Sequence, residues 1–281
     1  MAGTKIKSYA KLNLALNIIG KTSSLHKIES IIAFALLHDE IYIKKTKSKF
    51  HKILFTGKFS KYIGKNNTVS KLLQILDEKK LLRNKKFIIK INKRIPNKAG
   101  LGGGSMNAAK ILKYFFMKRI IKTNKKELFK ISKRIGSDVI LGLNSINTVL
   151  SANSKLTYFR KCQKFYILIV KPGFGCSTEE IYAKAKKFNK PVLNKPNKNM
   201  FKLDYLKKTS NCLEPIVLSR YNKLNAIKLF LEKELRPAFV RMTGSGSAMV
   251  AYFQSKHSCD YAGKKFNKKY KNYWCIVSKT I

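Results

Sequence analysis

One glycine-rich stretch gives this sequence its clearest structural signature: Arg94-Ile95-Pro96-Asn97-Lys98-Ala99-Gly100-Leu101-Gly102-Gly103-Gly104-Ser105-Met106-Asn107-Ala108-Ala109. The mostly apolar residues 87–91 before it predict a strand, and apolar residues at helical spacing over 108–116 predict a helix after it. Glycine lets the backbone adopt positive φ and approach a ligand without a Cβ atom in the way. Free N–H groups at a helix N-terminus bind phosphate, so we predict a phosphate-binding loop between this strand and this helix.

The segment 8–18 contains a second pattern. Every second residue between positions 12 and 18 is apolar, which predicts a strand with one buried face. Lys11 and Asn13 then share the opposite face, which taken alone is typical of a solvated strand surface. The chain runs on into Gly20-Lys21-Thr22 and so ends like a P-loop, but an apolar strand lacks the flexible backbone donors that a P-loop requires. We therefore exclude a P-loop.

The junction around Asp138 is the third feature. Gly136 is placed to end a helix that begins near Lys125, and Ser137-Asp138 then begin a new turn. Taken alone, Asp138 is best explained as a helix cap. The chain has 14 acidic residues in all, so an Asp at such a junction is also a candidate for chemistry.

The charge balance is strongly basic. The 281 residues include 60 Lys and Arg against 14 Asp and Glu, a formal net charge of +46. Lysine supplies 52 of the basic residues and is scattered along the chain, whereas nucleic-acid readers depend more on arginine. Joint enrichment in Lys, Asn and Ile favours drift in composition over selection for a polyanionic partner. A basic nucleic-acid-binding protein stays open as an alternative, and it predicts clustered basic residues with aromatic platforms.

The sequence offers neither a membrane span nor a disulfide or zinc framework. Its longest uncharged apolar runs, 31–37 and 165–170, fall short of the roughly 20 residues that a span needs. The five cysteines are odd in number, far apart and without a C-x-x-C pair. We expect a cytoplasmic protein with reduced thiols and no membrane partner.

Strand and helix patterns alternate along the chain and predict an α+β fold in two lobes. Residues 221–235 have helical spacing, and 189–199 is rich in Pro, Lys and Asn, which predicts a surface loop. The polar segment 151–155 is the predicted crossing between lobes. We therefore expect an N-terminal lobe over 1–150 and a C-terminal lobe over 151–281.

Taken together, these segments resemble the GHMP kinase superfamily over nearly the whole chain. The resemblance depends on the glycine-rich loop and on five further motifs: Ala10-Lys11-Leu12-Asn13-Leu14, His26, Gly136-Ser137-Asp138-Val139, Lys171-Pro172-Gly173 and Thr243-Gly244-Ser245-Gly246. It implies a two-lobe GHMP kinase fold, with an N-terminal ribosomal-protein-like βαβ lobe and a C-terminal ferredoxin-like lobe. Lys-Leu-Asn-Leu followed by a His favours the branch whose alcohol substrate carries a cytidine diphosphate over the homoserine, mevalonate and galactose kinases.

The resemblance also implies roles for individual residues. Asp138 would be the base that takes the proton of the attacking hydroxyl, with Lys11 beside it. The ATP phosphates would bind to the loop that consists of Pro96, Asn97, Lys98, Ala99, Gly100, Leu101, Gly102, Gly103, Gly104, Ser105 and Met106. Ser105 would help to hold those phosphates or Mg²⁺, so ATP and Mg²⁺ are the implied cofactors.

The implied alcohol site draws on seven residues: Asn13, Leu25, His26, Thr178, Tyr182, Gly244 and Ser245. Tyr182 matches an aromatic residue that stacks on cytosine, whereas Leu25 stands where the family usually has a second aromatic residue. We expect two small-molecule partners, ATP and a cytidyl diphosphate alcohol, no nucleic acid, and a monomer or weak homodimer. Another small-molecule kinase of the superfamily, or a degenerate inactive member, stays open because Leu25, Met106 and Ile140 depart from the family pattern.

Overall fold

The computed structural model of the protein describes residues 3–22 and 25–281. Its strands, in chain order, are β1 (Thr4–Lys21), β2 (His26–Thr46), β3 (Lys52–Thr56), β4 (Lys86–Asn92), β5 (Asn147–Leu150), β6 (Leu156–Phe159), β7 (Tyr166–Lys171), β8 (Phe239–Met242), β9 (Met249–Phe253) and β10 (Trp274–Lys279).

The helices of the same residues, in chain order, are α1 (Thr68–Glu78), α2 (Gly103–Met117), α3 (Lys125–Ile135), α4 (Val139–Gly142), α5 (Thr178–Ala183), α6 (Leu203–Lys207), α7 (Glu214–Arg220), α8 (Asn222–Leu235) and α9 (Lys256–Lys269). A short 3-10 helix covers Lys198–Phe201. The mixed content agrees with the predicted α+β class.

The first of two compact units comprises Met1–Lys11, Leu37–Asn97 and Gly102–Ser145. In it β3 runs parallel to β4, and α1 connects the two strands, which makes a βαβ element. The other edge of β4 pairs with β2 in antiparallel register, Glu40 opposite Asn92. Apolar residues of α1, α2 and α3 pack with β2 and β4 in one core, where each fully buried large side chain contributes about 1.5–3 kcal/mol.

The second unit comprises Leu12–Leu36, Lys98–Leu101 and Ile146–Ile281. Its four-stranded antiparallel sheet has the order β10-β7-β9-β8, with helices on the crossovers. This βαββαβ arrangement is the ferredoxin-like lobe that the resemblance implies. The apolar faces of α8 and α9 pack with β7 and β9 in its core.

Local periodicity predicted the elements beside the glycine-rich loop correctly. The strand predicted over 87–91 is β4, the helix predicted over 108–116 lies in α2, and the helix predicted over 221–235 is α8. The P-loop-like residues 15–21 lie in β1, so their exclusion is confirmed. Taken alone, the pattern of β1 favoured a solvated face, but Lys11 and Asn13 are buried. Lys11 pairs with Asp138, and Asn13 donates to Ser30.

The division of the chain differs from the predicted boundary at residue 150. Segment 151–155 is the turn of a β5–β6 hairpin, with Ser151 N–H donating to the Lys155 carbonyl, and does not cross between units. The compact units also interleave in sequence, because the long strands β1 and β2 each contribute residues to both. Among the described residues no helix has the length and apolar character to span a bilayer.

Candidate active site

A lysine and an aspartate form an ion pair at the start of α4. Lys11 Nζ lies 3.2 Å from Asp138 Oδ2, and the exposed fractions of the two side chains are 5% and 35%. Asp138 occupies the N-cap position of α4, but its side chain makes no capping hydrogen bond there. Helix capping therefore does not account for this carboxylate. A half-exposed carboxylate beside a buried ammonium can accept a proton from a ligand while the ammonium stabilises negative charge.

The end of the glycine-rich loop lies against that lysine. Gly102 has φ 67°, and a Cβ atom built on it would be 3.4 Å from Lys11 Cβ and 3.5 Å from Lys11 Cε. The first hydrogen bond of α2 runs from Met106 N–H to the Gly102 carbonyl. The N–H groups of residues 103–105 consequently have no acceptor within the helix, which is the feature that binds phosphate.

A buried aspartate that sequence analysis missed holds both ends of this loop. Asp39 is fully buried on β2, and its Oδ1 accepts the N–H groups of Arg94 and Ile95, each at 2.8 Å. Its Oδ2 accepts a hydrogen bond from Asn107 Nδ2 at 2.9 Å and one from Lys93 Nζ. One carboxylate thus fixes the backbone that enters the loop and the helix that leaves it.

The middle of the loop packs directly on the late glycine motif. Gly100 has φ 69°, and a Cβ atom on it would lie 1.9 Å from the Thr243 carbonyl oxygen. Gly244 has φ 55°, and a Cβ atom there would lie 3.0 Å from the Gly100 carbonyl oxygen. Thr243 Oγ1 donates to that carbonyl at 3.2 Å and accepts the Asn13 N–H at 3.0 Å. Two predicted ligand segments therefore meet backbone to backbone, a contact that an isolated turn would not need.

The loop's side chains divide into buried and accessible sets. Four predicted ATP-binding residues are buried, namely Pro96, Ala99, Leu101 and Met106, so only their backbone can meet a ligand. Asn97, Lys98 and Gly104 are exposed, and Gly100, Gly102, Gly103 and Ser105 are partly exposed. Positive φ occurs at Gly100 and Gly102 but not at Gly103 or Gly104. Two of the four glycines therefore have the backbone conformation that favours glycine, as the sequence pattern suggested.

Two hydrogen bonds link predicted substrate residues to their surroundings. Thr178 Oγ1 and Ser245 Oγ are 2.9 Å apart, which joins the start of α5 to the late glycine motif. Asn13 Nδ2 donates to Ser30 Oγ at 2.8 Å, so this buried amide supports β1 from within.

A further group is aromatic. The His26 ring lies 5.3 Å from the Tyr182 ring, centroid to centroid, and 6.5 Å from the Phe188 ring. Burial, and then the nearby Lys21 ammonium, lower the pKa of His26, so its imidazole is neutral at pH 7 and can both donate and accept a hydrogen bond. Leu25 is 63% exposed and supplies no ring.

The oxygen ligands available near the loop fit an Mg²⁺ ion that arrives bound to a nucleotide. In residues 3–22 and 25–281 no three His, Cys, Asp or Glu side chains converge on a point that could hold a metal ion. Mg²⁺ is commonly bound through one or two protein oxygens and substrate phosphates. The half-exposed Ser105 hydroxyl, in the first turn of α2, is placed to be one of those oxygens.

Comparison with known proteins identifies the family. The model of the GHMP kinases N terminal domain matches residues 67–153. The 4-diphosphocytidyl-2-C-methyl-D-erythritol kinase of Pelagibacter ubique (strain HTCC1062) is 53% identical over 281 residues, the whole of both chains.

Solved structures agree on the fold. A crystal structure of 4-(cytidine 5′-diphospho)-2C-methyl-D-erythritol kinase matches with a TM-score of 0.78 and 21% identity, over 99% of this chain and 100% of that one. Homoserine kinase from Cytophaga hutchinsonii ATCC 33406 matches with a TM-score of 0.74 and 14% identity, over 100% of this chain and 95% of that one. The fold is thus that of the GHMP kinases, and the full-length identity shows that the chain belongs to the 4-diphosphocytidyl-2-C-methyl-D-erythritol kinase family.

Proposed function

We propose that the protein transfers the γ-phosphoryl group of ATP to the 2-hydroxyl of 4-diphosphocytidyl-2-C-methyl-D-erythritol, a step in non-mevalonate isoprenoid precursor synthesis. The observation that carries this proposal is the Lys11–Asp138 ion pair with Gly102 packed against Lys11. A base, a cation and the end of a phosphate-binding loop are the parts that alcohol phosphorylation requires. Full-length identity to a relative of that name supports this choice of alcohol.

In the proposed reaction Asp138 accepts the proton of the substrate hydroxyl. The hydroxyl oxygen then forms a bond to the γ-phosphorus while the bond between that phosphorus and the bridging oxygen of ADP breaks. Lys11 keeps a positive charge beside the attacking oxygen and the transferred group, both of which bear negative charge in the transition state. Because Lys11 is buried, water screens that charge little.

The loop of residues 96–106 would hold the ATP phosphates through backbone N–H groups. Gly103, Gly104 and Ser105 supply the N–H groups at the start of α2, where the helix dipole also favours negative charge. Mg²⁺, when bound with ATP, neutralises phosphate charge, and Ser105 is the protein residue that we assign to it. Asp39 keeps the loop in this conformation before the nucleotide arrives, so little reorganisation is needed on binding.

The cytidyl end of the alcohol would bind at His26 and Tyr182. The tyrosine ring offers a stacking surface for the base, and the neutral imidazole offers one donor and one acceptor. Ser245, Thr178, Gly244 and Leu25 complete the proposed substrate residues, together with Asn13, which is buried and would act by positioning β1 through its hydrogen bond to Ser30. In this scheme the partners are two small molecules, the location is the cytoplasm, and the chain acts as a monomer or weak homodimer.

One assay tests the proposal against its rivals. The purified protein is incubated with ATP, Mg²⁺ and 4-diphosphocytidyl-2-C-methyl-D-erythritol, and both ADP release and a new phosphomonoester signal in ³¹P spectra are followed. Parallel reactions contain homoserine or mevalonate. Turnover of the cytidyl alcohol alone supports the proposal. Turnover of another alcohol alone moves the chain to a different activity within the superfamily, and no turnover of any alcohol favours the inactive member.

A further inference from the structure

We propose that Phe188 is a specificity-determining residue of the cytidyl site, where its ring contacts the cytosine base on the His26 side of the site. This inference rests on the proposed function. The Phe188 ring lies 6.5 Å from the His26 ring with the two planes inclined by 57°. Its side chain is 49% exposed, so a ligand has access to the ring.

The backbone that follows Phe188, in the segment 189–199 predicted as a surface loop, is held by hydrogen bonds. The next residue, Asn189, donates its N–H to the Ile18 carbonyl of β1 at 2.8 Å. A little further on, Val192 and Leu193 donate their N–H groups to the Glu29 carboxylate, each at 2.9 Å. These hydrogen bonds hold the backbone that follows Phe188 beside β1 and β2.

Glu29 is the anchor of this loop. It is fully buried on β2 and accepts a further hydrogen bond from Asn17 Nδ2 at 2.9 Å. The carboxylate thus receives three N–H donors, two of them from the loop that follows Phe188. Burying a carboxylate is costly unless such donors satisfy it. The buried Glu29 carboxylate therefore holds this loop beside β1 and β2.

A half-exposed phenyl ring beside an imidazole is suited to a flat, partly apolar ligand with polar edges. Binding of a ligand over exposed apolar surface is favourable because it removes that surface from water. Two further apolar side chains are well exposed: Leu25, which precedes His26, and Val192, which follows Phe188 in the loop. They add apolar surface but no ring. Cytosine has a π face for the phenyl ring and a hydrogen-bonding edge for the neutral imidazole of His26.

A series of substitutions at Phe188 tests this assignment. We expect Phe188→Ala to raise KM for the cytidyl alcohol, and Kd for CDP in calorimetry, about tenfold, as loss of one base–aromatic contact does. Phe188→Leu should give KM and Kd values between those of wild type and Phe188→Ala. Phe188→Tyr should keep both constants within about twofold of wild type because it keeps the ring. KM for ATP and kcat should not change. Phe129→Ala, which removes an exposed ring from α3, is the matched control and should alter none of these constants.

The outcomes separate this inference from the proposed function. If the wild type phosphorylates the cytidyl alcohol but Phe188→Ala leaves its KM and the CDP Kd unchanged, Phe188 is no specificity residue and the activity stands. If the wild type turns over only another alcohol yet binds CDP, and Phe188→Ala weakens that binding, the ring assignment stands and the proposed alcohol is wrong. A wild type that neither binds CDP nor turns over the cytidyl alcohol overturns both.

Discussion

Lys11 Nζ lies 3.2 Å from Asp138 Oδ2, although the ammonium is buried on a strand and the carboxylate is half-exposed at a helix start. This asymmetry suits the two roles. A buried cation keeps a strong field because water does not screen it, whereas a carboxylate must reach solvent or substrate to exchange a proton. The pair therefore combines a buried cation with an accessible carboxylate, as the proposed roles of Lys11 and Asp138 require.

Replacement of the base gives the first prediction. Asp138→Asn should lower kcat by about 10²- to 10⁴-fold, because the amide cannot accept the hydroxyl proton. ATP affinity in calorimetry should be retained, since the glycine-rich loop is unchanged. A variant whose kcat stays within about threefold of wild type would remove Asp138 from the mechanism.

The second prediction concerns Gly102. Gly102→Ala places a side chain at φ 67°, which costs about 1–2 kcal/mol for a non-glycine residue, and sets its methyl group against Lys11. We expect relief of that strain to shift the loop end, so that steady-state kinetics show a fall of about tenfold in kcat/KM for ATP. Gly64→Ala is the control, because a Cβ atom there meets no other atom within 4 Å and φ is not positive. Equal kinetics for the two variants would contradict the requirement for glycine at position 102.

The third prediction addresses the buried carboxylate that holds the loop. Asp39→Asn keeps an acceptor for the backbone N–H groups but leaves the Lys93 ammonium buried without a counter-charge. Breaking a buried pair in this way costs about 3–5 kcal/mol, which urea denaturation should show as a lower free energy of unfolding. Folded Asp39→Asn should also have a raised KM for ATP, since the amide nitrogen that replaces Oδ2 cannot accept from Asn107, and the link between α2 and the backbone before the loop is lost.

The neighbouring residue offers the control for this experiment. Glu40 pairs with Lys5 and Arg94 at the surface, so Glu40→Gln should change the free energy of unfolding far less and leave KM for ATP unaltered. If Asp39→Asn has the stability and the KM of Glu40→Gln, the buried carboxylate does not hold the loop.

Local sequence patterns predicted the elements around the site but not the contacts that hold them. β4 and α2 follow from apolar periodicity, and the loop between them follows from its glycines. Asp39 and Glu29 could not be recognised, because each stands in the sequence next to another polar residue of β2 and belongs to no motif. Their partners are backbone N–H groups that lie far along the chain, and an N–H group leaves no trace in residue identity.

The roles of residues outside the loop were inferred from the family resemblance and not from local sequence patterns. Taken alone, Asp138 is better explained as a cap, and Lys11 as a solvated strand residue, until the structure brings the two together. The backbone contact of Gly100 with Gly244 is equally invisible in sequence, since each glycine is consistent with a separate turn. Two short motifs that must share one space are recognised only when the fold is known.

The last prediction tests the aromatic side of the proposed cytidyl site. Tyr182→Ala should raise KM for the cytidyl alcohol about tenfold or more, because base–aromatic stacking is worth about 1–3 kcal/mol. Leu25→Tyr should lower that KM, since it adds a ring at an exposed position beside His26, where leucine contributes contact area only. KM for ATP should be unchanged in both variants, and Tyr261→Ala, which removes an exposed tyrosine from α9, should match wild type throughout. An unaltered KM in Tyr182→Ala would show that the base does not bind at this ring, and the alcohol substrate would then have to be sought among those of other GHMP kinases.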